Sequence, residues 1–333
     1  MQKNTIRRVS LLSLTLLASA CGGGGGDDNN PLGNPASVGG SPAPIAELTE
    51  SNADLVAFAA LWRVTGTYNA VSAAAGASLL AAGFRLTEAD LNNEGTSGSD
   101  PCEQSGSLDW AFGDADGDGE FSTGDSWHYQ YNQCQDQNSQ RDGTVDIRFV
   151  RLNGATPPAK DNLTEFEFSL QKTLYGSNND IQGRFTFAVT SSDGITDTAT
   201  LDIPMLTVSL GDEGSVTLNG ITLVRTTNDN TNALSWSFSG DFNGPILGSF
   251  SVDTETELQA LPKPGEDSPP LIGGYHQGVY TVSKGGRKLR LTAVDPDNVT
   301  IEIDVDGSPG YETSINATWA DMGLKYYQYA GLL

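Results

Sequence analysis

Basic side chains are scarce in this 333-residue sequence: 18 Lys and Arg stand against 42 Asp and Glu, a formal net charge of −24. Nucleic acid and anionic lipid are poor direct partners for such a chain, because both are held by Lys and Arg that displace counterions. Only two histidines occur, His128 and His276, so few side chains titrate near neutral pH. His128 falls on the polar face of a strand, and His276 in the Gly-rich stretch Gly273–Gly278, both ordinary structural places. No G-x-S-x-G elbow, H-E-x-x-H or phosphate loop is present. The reading leans away from an enzyme. Carboxylate-pair chemistry on glycans stays open, since such pairs are set by the fold and 42 acidic residues would hide them.

What is present is a concentration of oxygen ligands in one short stretch. Asp114, Asp116, Asp118, Glu120, Ser122 and Asp125 take positions 1, 3, 5, 7, 9 and 12 of a twelve-residue loop, with Gly119 at position 6. This is the ligand order of an EF-hand calcium loop. Three carboxylates would act directly, Glu120 through its carbonyl and Ser122 through a water. Gly119 would make the turn at positive φ. Asp125 stands where a bidentate Glu is usual and bites less strongly. The loop is also similar to the Asp-terminated calcium loops of dockerin repeats. The alternative is a solvated acidic turn, in which three closely spaced carboxylates repel one another. Ca²⁺ at an affinity of ~10⁻⁴–10⁻³ M is the expectation.

Ser107–Phe112 and Ser126–Tyr131 alternate at period two on either side of the loop, so the ion would sit at the tip of a β-hairpin where an EF-hand has helices. Pairing Phe112 with Asp125 brings Cys102 opposite Cys134 at the open end. A disulfide there should stabilise the fold by roughly 3–4 kcal/mol.

The N-terminus carries an address. Lys3, Arg7 and Arg8 precede the apolar run Val9–Leu17, which is too short to span a bilayer, and Ala18-Ser19-Ala20 leads into Cys21. Residues 1–20 are expected as a signal peptide, and the match to the lipobox of bacterial lipoproteins implies lipidation of Cys21. An ordinary signal peptide cut nearby is the alternative. Lipidation would leave Cys102 and Cys134 as an even pair. Gly22 after the Cys permits, by that resemblance, sorting to the outer membrane of a Gram-negative bacterium. Loss of Lys3, Arg7 and Arg8 would leave 15 basic residues against 42 acidic ones, a charge near −27.

Residues 21–44 are a Gly/Pro/Asn tether. Residues 45–99 form the helical segment: Leu55, Val56, Phe58, Ala59, Leu61 and Trp62 have helical spacing, and a second Ala-rich piece spans about Tyr68–Ala82. Glu88–Ser99 reads as loop. Residues 100–261 form the main antiparallel β unit, including Thr164–Leu174, Ser215–Val224 and Leu234–Phe242, with turn signals such as Asn219-Gly220, Asn243-Gly244 and Gly285-Gly286. A Pro-rich linker, 262–270, and a C-terminal β unit, 271–333, follow. The fold expectation is mainly β: an antiparallel sheet, open barrel or sandwich, with N-terminal helices. The aromatic tail from Lys325 onward reads as an edge strand or docked terminus.

A weaker second metal candidate, Asp304, Asp306 and Glu312, lies in the C-terminal unit, with Ser308-Pro309 where a third Asp would stand. The lipobox, Leu48–Ala53, the Asp-rich loop with its Cys pair, and the closing segment from Ile301 to Trp319 together resemble proteobacterial outer-membrane lipoproteins carrying a DxDGDGxxSxGD loop. No activity comes with that resemblance. The favoured expectation is a lipid-anchored, calcium-stabilised envelope protein, structural or binding, tied to the membrane through Cys21 with a possible glycan, lipid or envelope-protein ligand. A carbohydrate- or hydrophobic-ligand-binding module, using Trp62, Trp110, Trp127, Trp236 or Trp319 as a platform, and a secreted glycan hydrolase are the alternatives.

Overall fold

The computed structural model describes residues 44–83, 97–117, 122–136, 139–152, 164–174, 180–191, 195–209, 214–262, 273–308 and 310–330. The signal, the tether and Cys21 lie outside them, as do Asp118, Glu120 and most of the Pro-rich linker.

Fourteen strands form one antiparallel meander in which each pairs with its neighbours in sequence. They are β1 (Ser97–Pro101), β2 (Ser105–Gly113), β3 (Ser126–Asp136), β4 (Ser139–Leu152), β5 (Thr164–Leu174), β6 (Asp180–Ser191) and β7 (Thr196–Ser209). Then come β8 (Ser215–Asn228), β9 (Ala233–Gly244), β10 (Gly248–Ala260), β11 (Gln277–Lys284), β12 (Arg287–Ala293), β13 (Asn298–Asp304) and β14 (Thr313–Thr318). The fold is mainly β, as the alternation requires. Among the described residues β1 and β14 do not pair, so the sheet stays open. The expected boundary at 262–270 does not interrupt it: β10 and β11 pair on either side, Val252 opposite Val282. Asn219-Gly220 is no reversal either. β8 runs through it with a bulge against β9, because Gly240 lies so close that a Cβ there would sit 2.6 Å from the Gly220 carbonyl.

Helix α1 (Ala53–Gly83) is continuous where two pieces were expected. Thr65 and Gly66, poor helix formers, fall at the supposed break; the Thr65 hydroxyl donates back to the Leu61 carbonyl at 2.9 Å and the helix passes through. Every residue from Val56 to Leu61 is buried, so this stretch of α1 lies within the core, while Leu55, Trp62, Gly66, Asn69 and Ala70 are only half-buried. It touches β6 on one side and β12 and β13 on the other, and Tyr280 of β11 donates its hydroxyl to the Ala57 carbonyl at 2.8 Å. The sheet therefore curls around the helix, its inward rows supplying Ile203, Leu223, Trp236, Leu289 and Ile301 to a single core. Among the described residues no helix is long and apolar enough to cross a membrane, which says nothing of strands.

Two expectations are corrected at the edges. The segment before Cys102 is not all loop, since Ser97–Pro101 is strand β1 against β2. The aromatic tail is not a strand: helix α2 (Trp319–Tyr329) begins at Thr318, whose hydroxyl accepts the Asp321 N–H at 3.0 Å. That N-cap sits in the sequence as Thr-x-x-Asp, a signal the aromatic content obscured. α2 packs on α1 through Tyr326 against Phe58 and Trp62, with centroids 5.8 and 5.6 Å apart.

Candidate metal centres

The Asp-rich loop joins β2 to β3 at a hairpin tip, as the flanking alternation dictates. One carboxylate oxygen from each of Asp114, Asp116 and Asp125 lies within 4.8 Å of the others. Asp125 is fully buried. Its Oδ1 accepts the Ala115 N–H at 2.8 Å and its Oδ2 the Ser122 N–H at 2.6 Å, so this side chain ties both halves of the loop together. Asp114 Oδ1 accepts the Gly117 N–H at 2.7 Å, with Gly117 at φ +76°. Ser122, expected to act through water, donates its hydroxyl to Asp116 Oδ2 at 3.2 Å. Asp118, Glu120 and the positive φ expected at Gly119 fall outside the described residues; the positive-φ glycines described in the loop are Gly117 and Gly124.

The hairpin register differs from the expected one by two residues. Phe112 pairs with Trp127 and the last pair is Gly113 with Ser126, so Asp125 belongs to the turn and not to the ladder. A bulge near the open end, where Gly106 (φ +84°) would place a Cβ 2.2 Å from the Gln133 carbonyl, shifts the pairing again. Cys102 then lies just outside the ladder, and it is joined to Cys134 by a disulfide with Cα atoms 5.5 Å apart. The bond was legible; the register that suggested it was not.

The second candidate, between β13 and β14, repeats the first in miniature. One carboxylate oxygen of Asp304, Asp306 and Glu312 again lies within 4.8 Å of the others, and Asp304 is buried. Asp304 Oδ1 accepts the Gly307 N–H at 2.7 Å, with Gly307 at φ +76°. Glu312 Oε2 accepts the Val305 N–H at 3.0 Å. Both loops thus contain Asp-x-Asp-Gly, the first Asp capping the Gly N–H. In both, a later acid caps the N–H of the residue between the two Asp. Ser308, in the place of a third Asp, donates its hydroxyl to Glu312 Oε1 at 3.0 Å and its N–H to Asp306 at 2.8 Å; the nearby Ser308 hydroxyl first, and then this N–H, hold the Asp306 carboxyl below its ordinary range. The four-residue repeat was visible in the sequence, but the closing Glu stands eight residues on rather than eleven, outside the twelve-residue pattern.

Each of these carboxylate oxygens keeps a lone pair after its N–H bond, so the clusters can hold a divalent cation. In a meander, turns after even strands lie at one end and turns after odd strands at the other. The β2–β3 and β13–β14 loops are therefore at opposite ends and cannot share one ion.

Neither histidine joins a cluster of this kind. His128 Nδ1 lies 2.6 Å from Asp146 Oδ1 across β3 and β4, both half-exposed on the outer face. The tryptophans form no outer platform: Trp110, Trp127, Trp236 and Trp319 are buried, and Trp62 packs on Tyr326 and Tyr327.

Comparison with family models, with curated proteins and with solved structures finds no match. The site is therefore read from its own geometry.

Proposed function

We propose that this chain is a calcium-stabilised β-sheet protein of the bacterial envelope, anchored by lipid at Cys21 and acting as a structural or binding component. The observation that carries the calcium reading is Asp125. It is a fully buried carboxylate held by two N–H groups beside two further carboxylates, with no Lys or Arg paired to it among the described residues. Buried charges are ordinarily paired or bound to metal. Oxygen-only ligands suit a hard cation, and Ca²⁺ tolerates irregular geometry better than Mg²⁺. The second loop supports a second ion by the same reasoning. The envelope reading rests on the signal sequence and lipobox, and on a Cys pair whose disulfide belongs to an oxidising compartment.

Two measurements test the two halves. Mass spectrometry of the N-terminal peptide from membranes should find Cys21 carrying diacylglycerol, and an unmodified, differently cleaved N-terminus would remove the anchor. Removal of calcium with EGTA should lower the melting temperature, with recovery on adding millimolar Ca²⁺ but not Mg²⁺. Identical melting in EGTA and Ca²⁺ would remove the metal.

A further inference from the structure

A half-buried arginine continues the core row of strand β8, with its Nε shut off from solvent. Inward residues there follow the sheet period: Ile221 and Leu223 are buried, and Arg225 is next on the same row, opposite Trp236 of β9. Its guanidinium stacks over the Trp236 ring, 5.8 Å from the centroid. Tyr68 of α1 meets the same indole edge-on at 4.7 Å, and Ser72 follows one helical turn later.

The polar atoms of this patch share one property. Arg225 Nε, Trp236 Nε1, the Tyr68 hydroxyl and the Ser72 hydroxyl are all shut off from solvent with no hydrogen-bond partner, and Tyr68, Ser72 and Trp236 are each 1% exposed. Arg225 and Ser72 lie close enough to Tyr68 to ease ionisation of its phenol, though no hydrogen bond of ordinary geometry closes. Among the described residues no carboxylate pairs with Arg225. Tyrosinate does not replace one: burial pushes the phenols of Tyr68 and neighbouring Tyr275 upward, so both are neutral at physiological pH.

We infer that the patch formed by Arg225, Tyr68, Ser72 and Trp236, between α1 and strands β8 and β9, binds a small monovalent anion: a halide or the carboxylate of a small acid. Guanidinium and indole N–H groups only donate, so the occupant must accept, and it must bring one negative charge to a patch with one positive charge. Water satisfies the donors without the charge. An anion satisfies both and also meets the positive edges of the aromatic rings. The site is remote from both acidic loops in sequence and chemistry, so it stands or falls apart from the calcium reading.

The test uses the full chain, saturated with calcium, at fixed pH and ionic strength. Gluconate, a bulky anion, is replaced stepwise by bromide or by formate while the melting temperature is followed. A saturable rise with bromide alone assigns a halide, and a rise with formate as well assigns a carboxylate. Arg225→Gln should raise the half-saturating concentration at least about tenfold, the loss of one charge-assisted contact. Equal melting in all three salts, or a saturable rise that Arg225→Gln retains, overturns the proposal. Should Arg225→Gln fail to fold, bromide-soaked crystals of the unaltered protein decide. An anomalous peak within hydrogen-bond reach of Arg225 supports the site, and its absence there overturns it.

Discussion

Tyr280 and Ala57, 223 residues apart, are joined by a 2.8 Å hydrogen bond from a buried phenol to a helix carbonyl. The bond fixes α1 in rotation against β11. Tyr280→Phe removes the donor but leaves the carbonyl in the helix interior, so a loss of about 1 kcal/mol is expected in urea unfolding.

The same phenol sets an alkaline limit. Burial raises the pKa of Tyr68, Tyr275 and Tyr280 above the ordinary value of 10.0. A raised folded-state value means the native state holds protons that the unfolded chain releases. Stability from these groups is complete below pH 10 and falls as pH rises beyond it. Unfolding midpoints across that range should decline, and Tyr280→Phe should decline less steeply; equal slopes would mean that these phenols do not govern the transition.

Calcium response should split between the two loops. At about 5 mM Ca²⁺ an extracellular-type site gains ~1–2 kcal/mol. Asp125→Asn should abolish one share and Glu312→Gln the other, with the double variant additive, because the loops lie at opposite ends of the sheet. Calorimetry of calcium binding to each variant checks this directly.

Two glycines make a matched pair. At Gly66, within α1, a Cβ meets nothing within 4 Å, so Gly66→Ala should stabilise by up to ~1 kcal/mol. At Gly240, with φ +130°, a Cβ would strike the Gly220 carbonyl and the Ile221 backbone, and Gly240→Ala should cost more than ~2 kcal/mol. Thermal melts separate the two.

Breaking the disulfide with Cys102→Ser and Cys134→Ser together should cost roughly 3–4 kcal/mol. The test is a denaturant midpoint beside that of the parent under non-reducing conditions.

The strands were legible because a sheet with one buried face writes its period into the chain; Thr164–Leu174 was bounded to the residue. Register was not, because bulges at Gly106 and Gly220 insert residues that alternation alone cannot count. The choice among open sheet, barrel and sandwich stayed undecided for another reason: a largely apolar helix and a sheet apolar on one face do not say which encloses which. In the Asp-rich loop the spacing of the oxygen side chains was visible, but the use of Asp125 as a brace between two backbone amides depends on a turn that only the folded hairpin reveals. The second loop was read as the weaker candidate because Ser308-Pro309 stands where a third Asp would; that Glu312 joins Asp304 and Asp306 could not be read from a twelve-residue spacing. Arg225 was not singled out from the sequence, although it shares parity with the buried Ile221 and Leu223.

The order in which this molecule is made runs against the order in which it can be completed. α1 leaves the ribosome early, yet its partners and those of the turn before it arrive late: Tyr280 for Ala57, Lys325 for Asp54 and Thr313 for Glu50 of that turn. A greasy rod must wait for almost the entire wrapping before it is covered, so assembly should be slow and prone to clumping in transit. Truncation of even the last dozen residues would then leave the rod's first turns bare.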